Sequence, residues 1–152
     1  MRVLLQRSKA SKVTINSKIN GKIEKGYVAL VGFTEGDTKE IVDKMINKII
    51  NLRVFEDENE KMNLSIQDIG GTILSISQFT LYADCNKGNR PSFVNAMNPN
   101  EATKLYDYFN EKLNEIVHTE TGIFGSDMKV EIYNDGPVTI MLDSDILFKK
   151  NM

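Results

Sequence analysis

Two short stretches hold most of the chemistry this chain offers. Ser77, Gln78 and Thr80, in SQFTL, close the apolar run TILSI. At the end of a buried strand, side chains and the backbone N–H groups beside them are held rigidly. Donors fixed in that way stabilise a developing oxyanion, and Thr80 adds a hydroxyl that can bond a substrate or a water. On pattern alone the same stretch also reads as an ordinary alternating strand end. The second stretch is NDGPVTI, Asn134 to Ile140, set between MKVEIY and VTIML. Asp135-Gly136 is a two-residue hairpin signal, and Pro137 takes a tolerated place at the start of the returning strand. The other reading is a cis Gly136–Pro137 peptide, a rigid backbone feature built to touch something.

The remaining reactive residues exclude more than they suggest. There is one histidine, His118, one cysteine, Cys85, and no clustered set of metal ligands. Neither GxGxxG nor GxxxxGK[ST] occurs. A serine-type triad would have His118 alone as its base, and a histidine near a helix end is ordinarily a surface or dipole-compensating residue. Cys85 has Lys87 nearby but no histidine close in sequence, so it reads as a structural or incidental thiol. Asp57, Glu58 and Glu60 lack calcium-loop spacing and fit a solvated hairpin tip. A lone cysteine excludes an internal disulfide and fits a reducing cytoplasm.

The elements that must position these residues alternate between strands and helices. The chain has 152 residues, 41% apolar and 26% charged, which suggests one globular domain over 1–152. No apolar run reaches membrane-helix length, and MRVLLQRSKA is too short in apolar residues for a secretory leader. VLLQR, KVTIN and KIEKGYVALVGF read as strands, with Asn20-Gly21 as a turn. Asp37 with Glu40 suggests a capping box ahead of a helix carrying Ile41, Val42, Met45, Ile46, Ile49 and Ile50. RVFEDENEKMNL reads as two short strands, TILSISQFTLYA as a buried strand, and CNKGNRPS as an exposed loop. A second helix follows Asn98-Pro99, with Ala102, Leu105, Phe109, Leu113 and Ile116 or Val117 inward. The expected fold is mixed α and β: mostly antiparallel or mixed sheets in a barrel-like core, with two main helices packed on it. Net charge is −2, yet residues 1–25 carry +6, leaving −8 elsewhere. A local basic face of that kind either binds phosphates or is simply solvated.

SQFTL and NDGPVT together resemble the SQxxL and NxGPxT signatures of the D-aminoacyl-tRNA deacylases. MRVLLQR, NLRVFEDENEKMNLS, SQFTLYAD, KGNRPSF and VEIYNDGPVTIMLDS extend the likeness, in order, over nearly the whole chain. The resemblance implies a cytoplasmic homodimeric hydrolase that cuts the ester joining a D-amino acid, or mischarged glycine, to the 3′ end of tRNA. It implies no metal or organic cofactor, no membrane and no DNA partner. The Gly136–Pro137 bond would be cis, and its loop would enter the other subunit's site and exclude L substrates. Asn134 would belong to that loop, and Arg7 would hold it through its carbonyls. Backbone N–H groups near Phe79 and Thr80 would receive the carbonyl oxygen, with Ser77 and Gln78 shaping the pocket. Thr80, or a ribose hydroxyl of the tRNA, would assist the attacking water. Lys87 and Arg90 would be phosphate contacts. The residues also allow a small esterase using Thr80 or Cys85 with His118, or a tRNA-binding dimer without catalysis.

Overall fold

The computed structural model describes residues 1–148; residues 149–152 of the expected 1–152 domain lie outside the described residues. In chain order it forms β1 (Arg2–Ser8), β2 (Ser11–Ile15), β3 (Lys18–Ile23), β4 (Gly26–Gly32), α1 (Lys39–Asn51), β5 (Phe55–Glu56), β6 (Met62–Leu64), β7 (Thr72–Ser77), a 3-10 turn (Phe79–Tyr82), α2 (Pro99–Asn114), β8 (Thr119–Thr121), β9 (Lys129–Glu131), β10 (Asn134–Asp143) and α3 (Ser144–Leu147). Five strands make the main sheet in the order β10-β1-β4-β7-β8, and β3-β2-β9 make a second. Strands β4, β7 and β8 run parallel to one another, whereas β1 pairs antiparallel with both β10 and β4. Among the described residues neither β10 nor β8 pairs with a further strand, so the main sheet is open and does not close into a barrel.

The two-residue period of a strand sorts the core into two layers. On β4, Tyr27, Ala29 and Val31 face α1 and α2, while Val28 faces the smaller sheet. On β7, Ile73 joins the helical side and Leu74 and Ile76 the other. Helix α1 buries Val42, Met45, Ile46 and Ile49, and α2 buries Ala102, Leu105, Tyr106, Phe109 and Leu113. Of the two alternatives beyond α2, Val117 is buried and Ile116 exposed. Tyr106 donates its hydroxyl to Ser75 O at 2.8 Å, fixing α2 over the middle of β7. No helix among the described residues is long and apolar enough to cross a membrane.

Four local expectations need correction. The first hairpin turns at Asn16 and Ser17, both at positive φ, and not at Asn20-Gly21. Asn20 is the extra residue of a bulge opposite Val13–Thr14, and its amide donates to Thr121 O at 2.6 Å. Helix α1 is capped by Thr38, whose Oγ1 accepts from Ile41 N. The Asp37 carboxylate is occupied by Thr34 N–H and the Met1 ammonium, each at 2.8 Å. TILSISQFTLYA is strand only to Ser77, because the chain then turns 3-10 and leaves Phe79 exposed. Finally, NDGPVTI is no hairpin tip: β9 pairs with β2 and β10 with β1, so the flanking strands lie in different sheets.

Candidate functional site

Strand β10 begins with a broad bulge. Between the pairs Gln6–Thr139 and Ser8–Asn134, Arg7 stands alone on β1 against residues 135–138 on β10. The surplus residues arch outward, placing Gly136 and Pro137 in solvent with a cis peptide between them. Two side chains tie the arch down. Asn134 Nδ2 donates to Thr139 Oγ1 at 2.8 Å, and its Oδ1 accepts from Val138 N at 3.1 Å, bridging the two feet. Arg7, 6% exposed, fills the inside: Nε donates to Asp135 O at 3.0 Å and Nη1 to Val54 O at 2.8 Å. Glu56 Oε1, 3.6 Å from Nη2, and Asp135 Oδ2, 3.8 Å from Nε, balance its charge. Gly136 sits at φ +130°, a region essentially reserved for glycine.

Ser77 ends β7, Gln78 leads into the 3-10 turn, and that turn is held from three sides. Gln78 N donates to Val31 O at 2.7 Å. Gly32 permits the close approach, since a Cβ there would lie 2.9 Å from Gln78 O and 3.2 Å from Leu81 Cβ. Arg2 clamps the far end, donating from Nη1 to Leu81 O at 2.7 Å and from Nε to Asp143 at 3.1 Å, with its guanidinium over the Tyr82 ring. Burial, reinforced by Asp37 and Asp143, pushes the Tyr82 phenol well above its ordinary pKa. Gln78 Nε2 donates to Thr80 Oγ1, leaving the Thr80 hydroxyl proton free to be donated. The N–H groups of Phe79 and Thr80 open the turn, where helical N–H groups have no acceptor within the helix.

Two cavities meet at this turn. One, of about 380 Å³, is lined by apolar side chains including Phe33, Phe79, Phe93, Ala102 and Phe124. The other, of about 280 Å³, is lined by Ser77, Gln78, Phe79, Ser126, Asp127 and Met128 among others. Phe79, Phe124 and Gly125 belong to both, so the cavities are neighbours. The loop FGSDM is the part that sequence reasoning missed. Its signal was Gly122 and Gly125 ahead of β9, but nothing local in that loop says it will fold back over β7.

The other singled-out residues lie apart. Lys87 and Arg90 are exposed on a loop closed by the Asp84–Ser92 bridge, with no ion pair or hydrogen bond to their charged ends among the described residues. Cys85 is exposed on the same loop. His118 is held by Glu120 at 2.7 Å, and its carbonyl receives Ile73 N. Ile73 is four residues from Ser77 along β7, or roughly 13 Å, so His118 stands away from Thr80. Asp57 accepts from Lys61 and Asn59 N–H groups, which hold its carboxyl below the usual range at a solvated tip. No group of three or more His, Cys, Asp or Glu side chains stands together among the described residues.

The bulge and the turn do not meet within one chain. Arg7 pairs with Tyr27 and Tyr27 with Ile73, so the bulge is roughly 13 Å from Ser77 along the strands and roughly 14 Å across three strand spacings.

Residues 4–143 match a family model described as D-Tyr-tRNA(Tyr) deacylase. The D-aminoacyl-tRNA deacylase of Bacillus cytotoxicus is 54% identical over 145 residues, 95% of this chain and 99% of that protein. Among solved structures, the c-Myc DNA Unwinding Element Binding Protein superposes with a TM-score of 0.89 at 39% identity, over 94% of this chain and 98% of its own. A probable eukaryotic D-amino acid tRNA deacylase shares the fold at TM-score 0.80 and 17% identity, over 93% and 97%.

Proposed function

The chain belongs to the D-Tyr-tRNA(Tyr) deacylase family, and we propose from that premise that it hydrolyses the ester between a D-amino acid, or mischarged glycine, and the 3′ end of tRNA. The observation that carries the reading is the pairing of one rigid exposed bulge, Asn134 to Thr139, with one strand-end turn that opens on the Phe79 and Thr80 N–H groups beside a two-part cavity. The apolar cavity suits the terminal adenine base, and the polar one suits the ester and the amino group.

In this scheme water attacks the ester carbonyl carbon, and the Phe79 and Thr80 N–H groups stabilise the oxyanion that forms. The carbon–oxygen bond to the ribose then breaks, and the departing ribose oxygen takes a proton. An aminoacyl ester is already activated, so positioning and oxyanion stabilisation carry most of the catalysis. Thr80 or the neighbouring ribose hydroxyl orients the water; Ser77 and Gln78 shape the pocket around the substrate. Among the described residues the side chain hydrogen-bonded to Thr80 Oγ1 is the Gln78 amide, which is no base, and this favours that role over attack by its own oxygen.

The separation of bulge and turn favours a homodimer in which the Gly136–Pro137 bulge of one subunit enters the cavity of the other. Backbone atoms then stand against the substrate's α-carbon. An L side chain collides with them, while a D side chain or a hydrogen is accommodated; discrimination by clash needs a wall that does not yield. Lys87 and Arg90 contact tRNA phosphates, and the enzyme works in the cytoplasm where charged tRNA is found. The test is ester loss from D-Tyr-tRNA, L-Tyr-tRNA and Gly-tRNA. Rapid loss from the first and third with the second spared is expected, and equal hydrolysis of D and L would sink the reading.

A further inference from the structure

We propose that the cavity behind the Gly136–Pro137 bulge is a second ligand site, one that binds a free α-amino acid as its zwitterion. The cavity measures about 350 Å³ and is lined by Arg7, Ser8, Lys9, Lys25, Phe55, Glu56, Ile69 and Asp135. That volume lies in the range of small-molecule sites, about 300–1,000 Å³. It is distinct from the two cavities at the 3-10 turn and shares no residue with them.

The charges around it have a pattern. Arg7 is a buried guanidinium with five N–H donors, of which two are hydrogen-bonded, to Asp135 O and Val54 O. The carboxylates nearest it stand at 3.6 and 3.8 Å, beyond hydrogen-bond length, so donors remain for another oxyanion. Lys9 and Lys25 are exposed, and their ammonium groups have no ion pair or hydrogen bond among the described residues. Three cations around one hollow would suit a phosphate, but Glu56 and Asp135 share the same walls and repel a polyanion. A zwitterion satisfies both signs. Its carboxylate meets the Arg7 fork and a lysine, its ammonium meets Glu56 or Asp135, and its side chain lies on Phe55 and Ile69.

The site bears on the deacylase reading through Arg7. The guanidinium that would receive the ligand's carboxylate also holds the Asp135 carbonyl and lies against Gly136. Occupancy shifts Arg7 toward the ligand, loosens the bulge and slows hydrolysis, so free amino acid acts as a brake. That regulatory consequence rests on the proposed function, whereas the charge pattern of the cavity does not.

L-phenylalanine is the discriminating probe, since the proposed wall keeps L amino acids out of the hydrolytic cavity. Calorimetric titration of the full chain should show L- and D-phenylalanine binding. N-acetyl-L-phenylalanine and phenethylamine, each lacking one charge, should bind at least about tenfold more weakly. Lys9→Ala/Lys25→Ala should weaken L-phenylalanine binding by about tenfold and leave hydrolysis of D-Phe-tRNA unchanged without added amino acid. Wild-type hydrolysis should slow as L-phenylalanine is added, and that slowing should fade in the double variant. No binding of L-phenylalanine, binding unchanged in the double variant, or inorganic phosphate binding as tightly would each overturn the proposal. Failure to cleave D-Phe-tRNA in ligand-free protein would instead overturn the deacylase reading, with the zwitterion site still judged by the titration.

Discussion

Replacing Gly136 with alanine tests the bulge at its most constrained point. A Cβ there would lie 2.8 Å from Val138 Cγ2 and 3.0 Å from Arg7 Nη2, at φ +130°. The backbone conformation alone costs about 1–3 kcal/mol for a residue with a side chain. The crowding adds to that, and it is relieved by moving the arch by some tenths of an ångström up to about 1 Å. For a chain of this size each kcal/mol is worth about 2–4 °C in Tm, so the variant should remain folded, with Tm lowered by roughly 2–12 °C. A misplacement of about 1 Å costs on the order of 100-fold in rate, so kcat/KM on D-Tyr-tRNA should fall by about 10- to 100-fold. Gly70→Ala is the control. Gly70 also has positive φ, +63°, but a Cβ there meets nothing within 4 Å, so it should lose stability and keep activity. Single-turnover deacylation and thermal melts on the two variants separate the effects. If Gly136→Ala lost stability like Gly70→Ala but kept its D-Tyr-tRNA activity within about twofold, the wall would not be where we place it.

Further expectations concern the frame around the site. Asn134→Ala removes both bonds across the feet of the bulge and should cost about 1–2 kcal/mol, with a drop in D-Tyr-tRNA cleavage seen in parallel melts and kinetics. Tyr27 Oη is buried without a hydrogen-bond partner among the described residues, and deleting an unsatisfied hydroxyl is neutral or favourable, so Tyr27→Phe should match or exceed the wild-type Tm. Burial raises the phenol pKa of Tyr27, Tyr82 and Tyr106 above the ordinary 10.0. Their contribution is therefore full below about pH 10 and lost as pH rises toward the folded-state values; denaturant titrations should show a plateau and then an alkaline decline, shallower in Tyr82→Phe. Lys87→Ala/Arg90→Ala should raise KM for D-aminoacyl-tRNA and flatten its salt dependence by about one to two phosphate contacts, and an unchanged salt slope would remove that loop from the tRNA path.

Features set by local period were legible in the sequence. The unbroken apolar run YVALVGF marks β4 as a strand buried on both faces, the inward rows of α1 and α2 follow from spacing, and Asn98-Pro99 marks the start of α2. Where partners are distant in sequence, the reading failed. Asp135-Gly136 has the composition of a hairpin turn, but whether it is one depends on which strands MKVEIY and VTIML join, and they join β2 and β1. Asp37 has the makings of a cap, but its carboxylate is claimed by Met1, 36 residues away. SQFTL looked like continuing strand because Phe79 and Leu81 are apolar, whereas Gly32 on a neighbouring strand makes room for a turn. The two signatures could be found in the sequence, but their placement at opposite ends of the sheet could not.

The pairing of β1 with β10 has a consequence for synthesis. Arg7 leaves the ribosome 128 residues ahead of the Asp135 carbonyl it must hold. At about 5–20 residues per second, that is roughly 6 to 26 s of translation. Through that interval β1 can pair with β4, but its other edge stays bare and the arch does not exist. The feature proposed to tell one enantiomer from the other is thus assembled long after the strand it rests on, and a nascent chain stalled before Asn134 has the turn but not the arch. On the proposed role of the bulge, discrimination begins only once translation has passed that point.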